Sequence, residues 1–200
     1  MNTIILIALL FVTYLLGSIP VGYLLVKYVT GKNILEQGSG NIGSTNVGRV
    51  AGKKWSLATQ LLDMLKGLLP VALYLLFSVH LKIQSDRLVY LFALAAILGH
   101  NFSIFLHFKG GKGVNTTLGA TVLLAPVAVF SSVAVFFVVK WLFKYVSVGS
   151  MVLALTMPLV EWIQNGTSNT FYFLLLCSLL ILLRHQNNIK RLLRKKELNT

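Results

Sequence analysis

Acidic residues and cysteine are scarce in this chain of 200 residues. Five Asp and Glu residues stand against 18 Lys and Arg residues, and charged residues make up only 12% of the sequence, where soluble globular proteins have roughly 25%. Five scattered carboxylates provide no cage for a metal ion, so we predict no metal site. The single cysteine, Cys177, excludes an intrachain disulfide, and its apolar surroundings predict a small buried hydrophobe.

What the sequence has instead is hydrophobic residues, at 56% of the chain. Long apolar runs alternate with short polar ones, which is typical of an all-α polytopic integral membrane protein and leaves no room for a separate soluble module. We therefore predict one membrane-embedded domain, residues 1–200. The basic residues lie between the apolar runs and form no continuous stripe, which favours membrane lipid headgroups and anionic substrates as partners over nucleic acid.

Six apolar runs are long enough, or nearly so, to cross about 30 Å of hydrocarbon, which takes roughly 20 residues. No basic segment precedes the first run, and it exceeds the apolar core of a signal peptide, so we interpret it as a retained helix. Pro126 divides the fourth run and either kinks one helix or separates two. The six runs are 4–26, 55–79, 88–108, 116–139, 146–163 and 170–183.

The distribution of Lys and Arg distinguishes these two alternatives, because basic residues accumulate on the cytoplasmic side of a membrane. A break at Pro126 gives about seven transmembrane helices, with the N-terminus outside and the C-terminus cytoplasmic, and leaves only Lys82 and Arg87 outside. A single crossing separates Lys140 and Lys144 from the basic tail. We predict seven spans, with these residues cytoplasmic: Lys27, Lys32, Arg49, Lys53, Lys54, Lys109, Lys112, Lys140, Lys144, Arg184 and the tail 190–196.

This topology places four polar clusters on the cytoplasmic face. The first, residues 38–49, has glycines that let the backbone turn and aim successive amides at one anion, with hydroxyls and an arginine to complete a phosphate cradle. A flexible polar linker is the alternative, but linkers rarely combine these residue types. The candidate ligands are Ser39, Gly40, Asn41, Gly43, Thr45, Asn46 and Arg49.

The second cluster, residues 108–116, carries Gly110, Gly111, Lys112 and Gly113 immediately before an apolar run. Its amides are expected at a helix N-terminus, where anions bind. The spacing differs from that of a nucleotide-binding P-loop, because Gly113 occupies the position of the magnesium-binding hydroxyl. A basic turn that anchors lipid headgroups would explain the lysine but not the three glycines.

The other two clusters are less specific. Residues 147–150 include Ser150 and could form a turn, a close helix contact or part of a site. In residues 184–197, attraction to an anionic leaflet explains the basic end. It does not explain His185 and Asn188, which would share one face of a helix.

Polar residues inside the apolar runs need a separate explanation, because a charge at the bilayer centre costs at least about 2.5 to 3.5 kcal/mol. Asp63 and Lys66 either form an ion pair with each other or support the site. His100 either makes a hydrogen bond between helices or supports a ligand-binding group.

In this order, the motifs resemble the bacterial acyl-phosphate:glycerol-3-phosphate acyltransferases, the PlsY family. The resemblance rests on 38–49, on Gly99-His100-Asn101-Phe102 followed by 108–114, and on 184–192, and it extends from Gly17 to Glu197. The family is described as having seven helices and a cytoplasmic active site. The chain departs from this pattern in four places: Ser44 and Asn115 replace alanine, Ser103 replaces proline, and the pair Lys195 and Lys196 stands where a glycine usually precedes the final glutamate.

The resemblance implies transfer of a fatty acyl group from acyl phosphate to the 1-hydroxyl of glycerol 3-phosphate, which gives lysophosphatidic acid and phosphate at the bacterial cytoplasmic membrane. It implies no cofactor, and neither acyl-CoA nor acyl carrier protein as direct donor. The residue types suit this chemistry, since the donor is already activated and the protein must mainly hold two phosphates together. The implied catalytic residues are Ser39, Arg49, Lys112, His185 and Asn188, with the glycines near Lys112 shaping a phosphate site and Ser150 completing the pocket.

Two questions stay open from the sequence. The hydroxyl proton could go to His185 or to a phosphate oxygen, and we favour the phosphate, with His185 orienting the substrate. A transporter of a phosphorylated solute would use the same glycines and cations, but no internal repeat is present. A lipid phosphotransferase would need acidic metal ligands, which this chain does not supply.

Overall fold

The computed structural model describes residues 3–80 and 87–198, with the side chains of residues 79 and 80 excepted. Lys82 therefore lies outside the described residues. Helices dominate the described chain, and no strand occurs in it. The helices are α1 (Thr3–Ser18), α2 (Val21–Thr30), α3 (Ser44–Ala51), α4 (Lys53–His80), α5 (Leu88–Asn101), α6 (Val114–Thr121), α7 (Pro126–Phe143), α8 (Val146–Asn165), α9 (Asn169–Arg184) and α10 (Gln186–Leu193), with short 3₁₀ turns at Ile34–Glu36 and Ile104–Leu106.

Five helical segments in the described residues are long and apolar enough to cross a membrane. A sixth is added if α9 and α10, which meet at a bend of 54°, count as one span. The all-helical membrane class is confirmed, whereas the number seven and the orientation of the termini stay predictions. The five segments are Thr3–Thr30, Lys53–Ser78, Leu88–Leu106, Pro126–Phe143 and Val146–Asn165.

Pro126 interrupts the helix, as the distribution of charge predicted. It is the first residue of α7, where its missing N–H and fixed φ are favourable. The preceding helix α6 has only eight residues, too few to cross a bilayer alone, and residues Thr116 to Thr121 are all buried. This helix is therefore surrounded by protein, the condition under which so short a segment is tolerated at membrane depth.

The chain forms two compact units, residues 1–123 and 124–200. In the first unit, α6 packs against α4 through two glycines that let the helix backbones touch. A Cβ on Gly67 would collide with the carbonyl oxygen of Thr116, and a Cβ on Gly119 would collide with that of Met64. Small residues at such contacts are typical of helix packing in membranes. This close contact fixes the N-terminal end of α6 relative to α4.

A small apolar core lies beneath the first polar cluster in the same unit. Val26 of α2, Ile34, Ile42, Val47 of α3 and Leu106 are buried together, and Trp55 of α4 packs against them. The loop that contains the glycines therefore lies on a packed base, not on a flexible linker.

The second unit consists of α7 to α10 and the tail. Here α8 approaches α7 at Gly149, which lies against Phe136. Glu161 is buried near the end of α8 and accepts hydrogen bonds from Asn165 Nδ2 at 3.0 Å and Ser168 Oγ at 2.9 Å. These bonds close the connection between α8 and α9. The prediction of a single domain stays a prediction.

Candidate active site

Asn46 organises the first glycine loop of the N-terminal unit. Its side chain is 2% exposed. Its Oδ1 accepts a hydrogen bond from the Ser39 amide at 2.9 Å, and its Nδ2 donates to the carbonyl oxygens of Gln37 and Asn41, each at 2.9 Å. With its donors occupied by backbone, Asn46 shapes the loop from within.

The loop then passes directly into α3. Asn41 Oδ1 accepts a hydrogen bond from the Gly43 amide at 2.9 Å, and Gly43 is the residue that precedes the helix. Thr45 and Arg49 are four residues apart on α3 and therefore lie on one face of it. Arg49 is an exposed residue of this unit.

The second glycine loop lies on the C-terminal end of α5. The Gly111 amide donates to the His100 carbonyl oxygen at 2.9 Å. Gly113 adopts a left-handed conformation with φ of +82° immediately before α6, and a Cβ there would crowd the side chain of Asn101. Lys112 is half-buried between these buried glycines. As predicted, the loop ends at a helix N-terminus, where the first amides have no partner within the helix.

The two glycine loops are joined by a side-chain hydrogen bond. Asn115, the second residue of α6, donates from Nδ2 to Oγ of Ser44, the first residue of α3, at 3.2 Å. The Ser44 carbonyl oxygen in turn accepts from Ser56 Oγ of α4 at 2.8 Å. The N-terminal ends of α3 and α6 therefore adjoin, and the partial positive charges of both helices lie at one place.

This link joins two of the positions that depart from the family pattern, Ser44 and Asn115. Both lie inside the predicted polar clusters, but neither was named among the candidate site residues. The departures were visible, but no local pattern connects residues 71 positions apart.

His185 and Asn188 lie in the C-terminal unit and are both buried. His185 lies at the bend between α9 and α10, and its Nδ1 is 2.8 Å from the Ile181 carbonyl oxygen. Because a carbonyl oxygen only accepts, this contact places a hydrogen on Nδ1. In the neutral ring the basic nitrogen is then Nε2.

Glu197 holds the tail against α10. It accepts hydrogen bonds from Asn188 Nδ2 at 2.6 Å and from Arg191 Nε at 2.8 Å. The chain reaches this position through Lys195, whose φ of +55° lies in the left-handed region that favours glycine. This chain adopts that region with a lysine, at one of the two positions that depart from the expected glycine.

The predicted site residues thus fall into two groups. The N-terminal unit brings the two glycine loops together, while the C-terminal unit places His185 and Asn188 on consecutive turns and Ser150, which is buried, on α8. The N-terminal group contains Ser39, Gly40, Asn41, Gly43, Thr45, Asn46, Arg49, Gly110, Gly111, Lys112 and Gly113.

The contact between the tail and α10 is expected to depend on pH. Partial burial alone would raise the pKa of Glu197, but hydrogen bonds from Arg191 and Asn188 and the nearby Ser147 hydroxyl outweigh burial and lower that pKa. Because the pKa of Glu197 is lower in the folded than in the unfolded protein, its ionised carboxylate stabilises the fold. This stability is present above the unfolded-state pKa, about 4.3, and is lost as the pH falls through the folded-state pKa. Thermal unfolding measured from pH 7 to pH 3 should therefore show an acid-induced loss of stability that is smaller in Glu197→Gln. Equal pH dependence in both proteins would contradict this account.

A sequence model described as "Glycerol-3-phosphate acyltransferase" matches residues 7–195 of the chain. The glycerol-3-phosphate acyltransferase of Clostridium acetobutylicum is 45% identical over 197 residues, which cover 97% of this chain and 99% of that protein. The enzyme of the same name from Syntrophotalea carbinolica is 41% identical over 189 residues, 94% of each chain.

The fold also matches solved structures. The crystal structure of PlsY, an integral membrane glycerol 3-phosphate acyltransferase, in its glycerol 3-phosphate form has a TM-score of 0.88 and 34% identity, covering 98% of this chain and 95% of that chain. Its lysophosphatidic acid form has a TM-score of 0.84 at the same identity, covering 97% and 94%. Sequence and fold agree along nearly the whole length, and the chain belongs to the glycerol-3-phosphate acyltransferase family of integral membrane enzymes.

Proposed function

We propose that this chain transfers a fatty acyl group from acyl phosphate to the 1-hydroxyl of glycerol 3-phosphate, as the first acylation of phospholipid biosynthesis. The hydroxyl oxygen bonds to the acyl carbonyl carbon, the bond from that carbon to the phosphate oxygen breaks, and the hydroxyl proton leaves with the phosphate. The products are lysophosphatidic acid and phosphate. The relatives' names support the acceptor and the product, and the residues of the site support the phosphorylated donor.

The observation that carries this proposal is the junction of the two glycine loops at Ser44 and Asn115. Two phosphates roughly 6 Å apart repel each other by on the order of 10 kcal/mol at an effective dielectric near 20. The amides at the start of α3 and α6 present partial positive charge to anions. Arg49 and Lys112 supply full charges, and the arginine fork suits a phosphate. The junction therefore suits the binding of phosphate groups on the substrates.

We assign further roles within each unit. Ser39, Gly40, Asn41, Gly43 and Thr45 line the first cradle around its fixed centre at Asn46. Gly110, Gly111 and Gly113 shape the second. In the C-terminal unit, Ser150 and Asn188 bind substrate, and His185 orients it through Nε2, since the His185 ring is held by backbone and is 1% exposed. A phosphate oxygen with a pKa near 6 then takes the hydroxyl proton.

The proposed location is the bacterial cytoplasmic membrane, with both glycine loops on the cytoplasmic face, the N-terminus outside and the C-terminus inside. Two features of the first unit support it. Lys53 and Lys54 follow α3 directly, on the side of the joined loops, while Arg87 precedes α5. The 14 residues of α5 separate Arg87 from the second loop. Arg87 and this loop therefore lie at opposite ends of a helix about 20 Å long, at 1.5 Å per residue.

The donor and the phosphate cradle are tested together by turnover of purified protein with radiolabelled glycerol 3-phosphate and either palmitoyl phosphate or palmitoyl-CoA. Product should form from palmitoyl phosphate alone. Arg49→Ala and Lys112→Ala should lose about a hundredfold or more in rate, because each removes a cation that offsets phosphate charge. Lys109→Ala is the matched control, since this exposed lysine lies three residues before Lys112, and its rate should stay within about threefold.

Two results would contradict the proposal. Equal use of palmitoyl-CoA would exclude acyl phosphate as the specific donor. Wild-type-like turnover of Lys112→Ala would remove the second loop from phosphate binding.

The role of His185 is tested by His185→Asn, with His107→Asn as the same substitution at an exposed histidine. An orienting role predicts that KM for glycerol 3-phosphate rises about tenfold or more in His185→Asn, with a smaller fall in kcat. The control should resemble the wild type. Loss of turnover at unchanged affinity for glycerol 3-phosphate would instead identify His185 as the base.

A further inference from the structure

Three polar side chains are buried together behind the second glycine loop. Asp63 and Lys66 lie on α4, and their atoms Oδ1 and Nζ are 2.9 Å apart, with both side chains at most 5% exposed. The ion pair, one of the two alternatives that the sequence left open, is therefore present. Lys66 Nζ also donates to the Ile19 carbonyl oxygen at 3.0 Å, which ties it to the break between α1 and α2. Ionisable residues in a membrane-spanning helix are costly, so they indicate a function unless a partner alone explains them.

The ion pair alone does not explain this arrangement, because a third residue shares the carboxylate. His100, near the end of α5, places Nδ1 3.5 Å from the same oxygen of Asp63. The imidazole is 4% exposed. Asp63 thus lies between a cation on its own helix and an imidazole on the next helix.

His100 in turn supports the glycine loop at two points. Its carbonyl oxygen accepts the hydrogen bond from the Gly111 amide at 2.9 Å. Its ring lies directly against Gly111, since a Cβ on that glycine would collide with Nε2. Gly110 is equally close to the His100 carbonyl oxygen. The residue that follows these two glycines is Lys112.

We propose that Asp63 and His100 are positioning residues for substrate phosphate. Asp63 fixes the His100 ring, the ring and its carbonyl support Gly110 and Gly111, and the loop thereby holds Lys112 and the start of α6 in place. Lys66 neutralises the carboxylate and binds the Ile19 carbonyl oxygen, but it does not position the loop. This inference rests on the function proposed above, because it assigns the second loop to phosphate binding.

A purely structural role makes a different prediction, which two double variants separate. Asp63→Leu with Lys66→Met removes both charges and also removes the acceptor that faces His100. Asp63→Asn with Lys66→Met removes both charges but keeps an acceptor. Replacing a buried ion pair by apolar groups of similar volume is often neutral for stability, so the first variant is expected to fold, and the second keeps one neutral polar group that faces His100.

The experiment compares KM for glycerol 3-phosphate, kcat, inhibition by inorganic phosphate and thermal unfolding in the wild type and both doubles. In the Asp63→Leu, Lys66→Met variant, KM for glycerol 3-phosphate should rise and inhibition by inorganic phosphate should weaken, each by about tenfold or more. The change in kcat should be smaller, and thermal stability should change little. The Asp63→Asn, Lys66→Met variant should recover most of the wild-type affinity for glycerol 3-phosphate and inorganic phosphate. Wild-type affinity in the Leu and Met double, or equal loss in both doubles, would overturn the proposal.

Should the Leu and Met double fail to fold, His100→Leu tests the same link from the other end and should raise KM by a similar factor. Wild-type affinity in His100→Leu would overturn the proposal.

Absence of wild-type turnover would refute the proposed function together with this inference. A working wild type that is sensitive to Lys112→Ala, with unaffected doubles, would refute only the inference.

Discussion

A chain in hydrocarbon must pair its backbone N–H and C=O groups within itself, and this constraint governs the rest of the structure. Helices satisfy it along most of the described residues, so unpaired amides are left mainly at helix ends. The chain concentrates such ends: α3 and α6 begin at glycine loops that Asn115 and Ser44 join. In the function proposed above, backbone that cannot remain in lipid forms a cradle for the phosphate groups of substrates. Two buried charges of the N-terminal unit, Asp63 and Lys66, lie behind the second of these loops.

Much of this architecture could be predicted from residue patterns. The apolar runs identify the long helices because hydrocarbon thickness sets their length, and Pro126 begins a new helix because its ring and missing N–H suit the first turn. The family resemblance also holds, since nearly the entire chain matches glycerol-3-phosphate acyltransferases. Glycine loops before helices are visible in a sequence because glycine alone permits their backbone angles at low cost.

Other features depend on tertiary contacts that no local pattern carries. Asn46 had the residue type of a ligand, yet burial and three backbone partners at about 2.9 Å make it the centre of the first loop. Helix α6 is too short to be assigned as a span from the sequence, and its burial follows from its close packing on α4. Ser44 and Asn115 read as isolated departures until folding brings them into contact. The left-handed φ of Lys195 and the contacts of Glu197 with Asn188 and Arg191 likewise appear only in the folded chain.

If the two glycine loops act as one phosphate-binding unit, the effects of Ser44→Ala and Asn115→Ala on the binding of glycerol 3-phosphate should be coupled, which is measured in both single variants and the double variant. A hydrogen bond that joins the loops predicts non-additive losses, with a coupling of about 1 kcal/mol, or roughly fivefold in affinity. The double variant should then bind nearly as well as either single variant. Losses that simply add would show that the two loops bind phosphate independently, and would contradict the account.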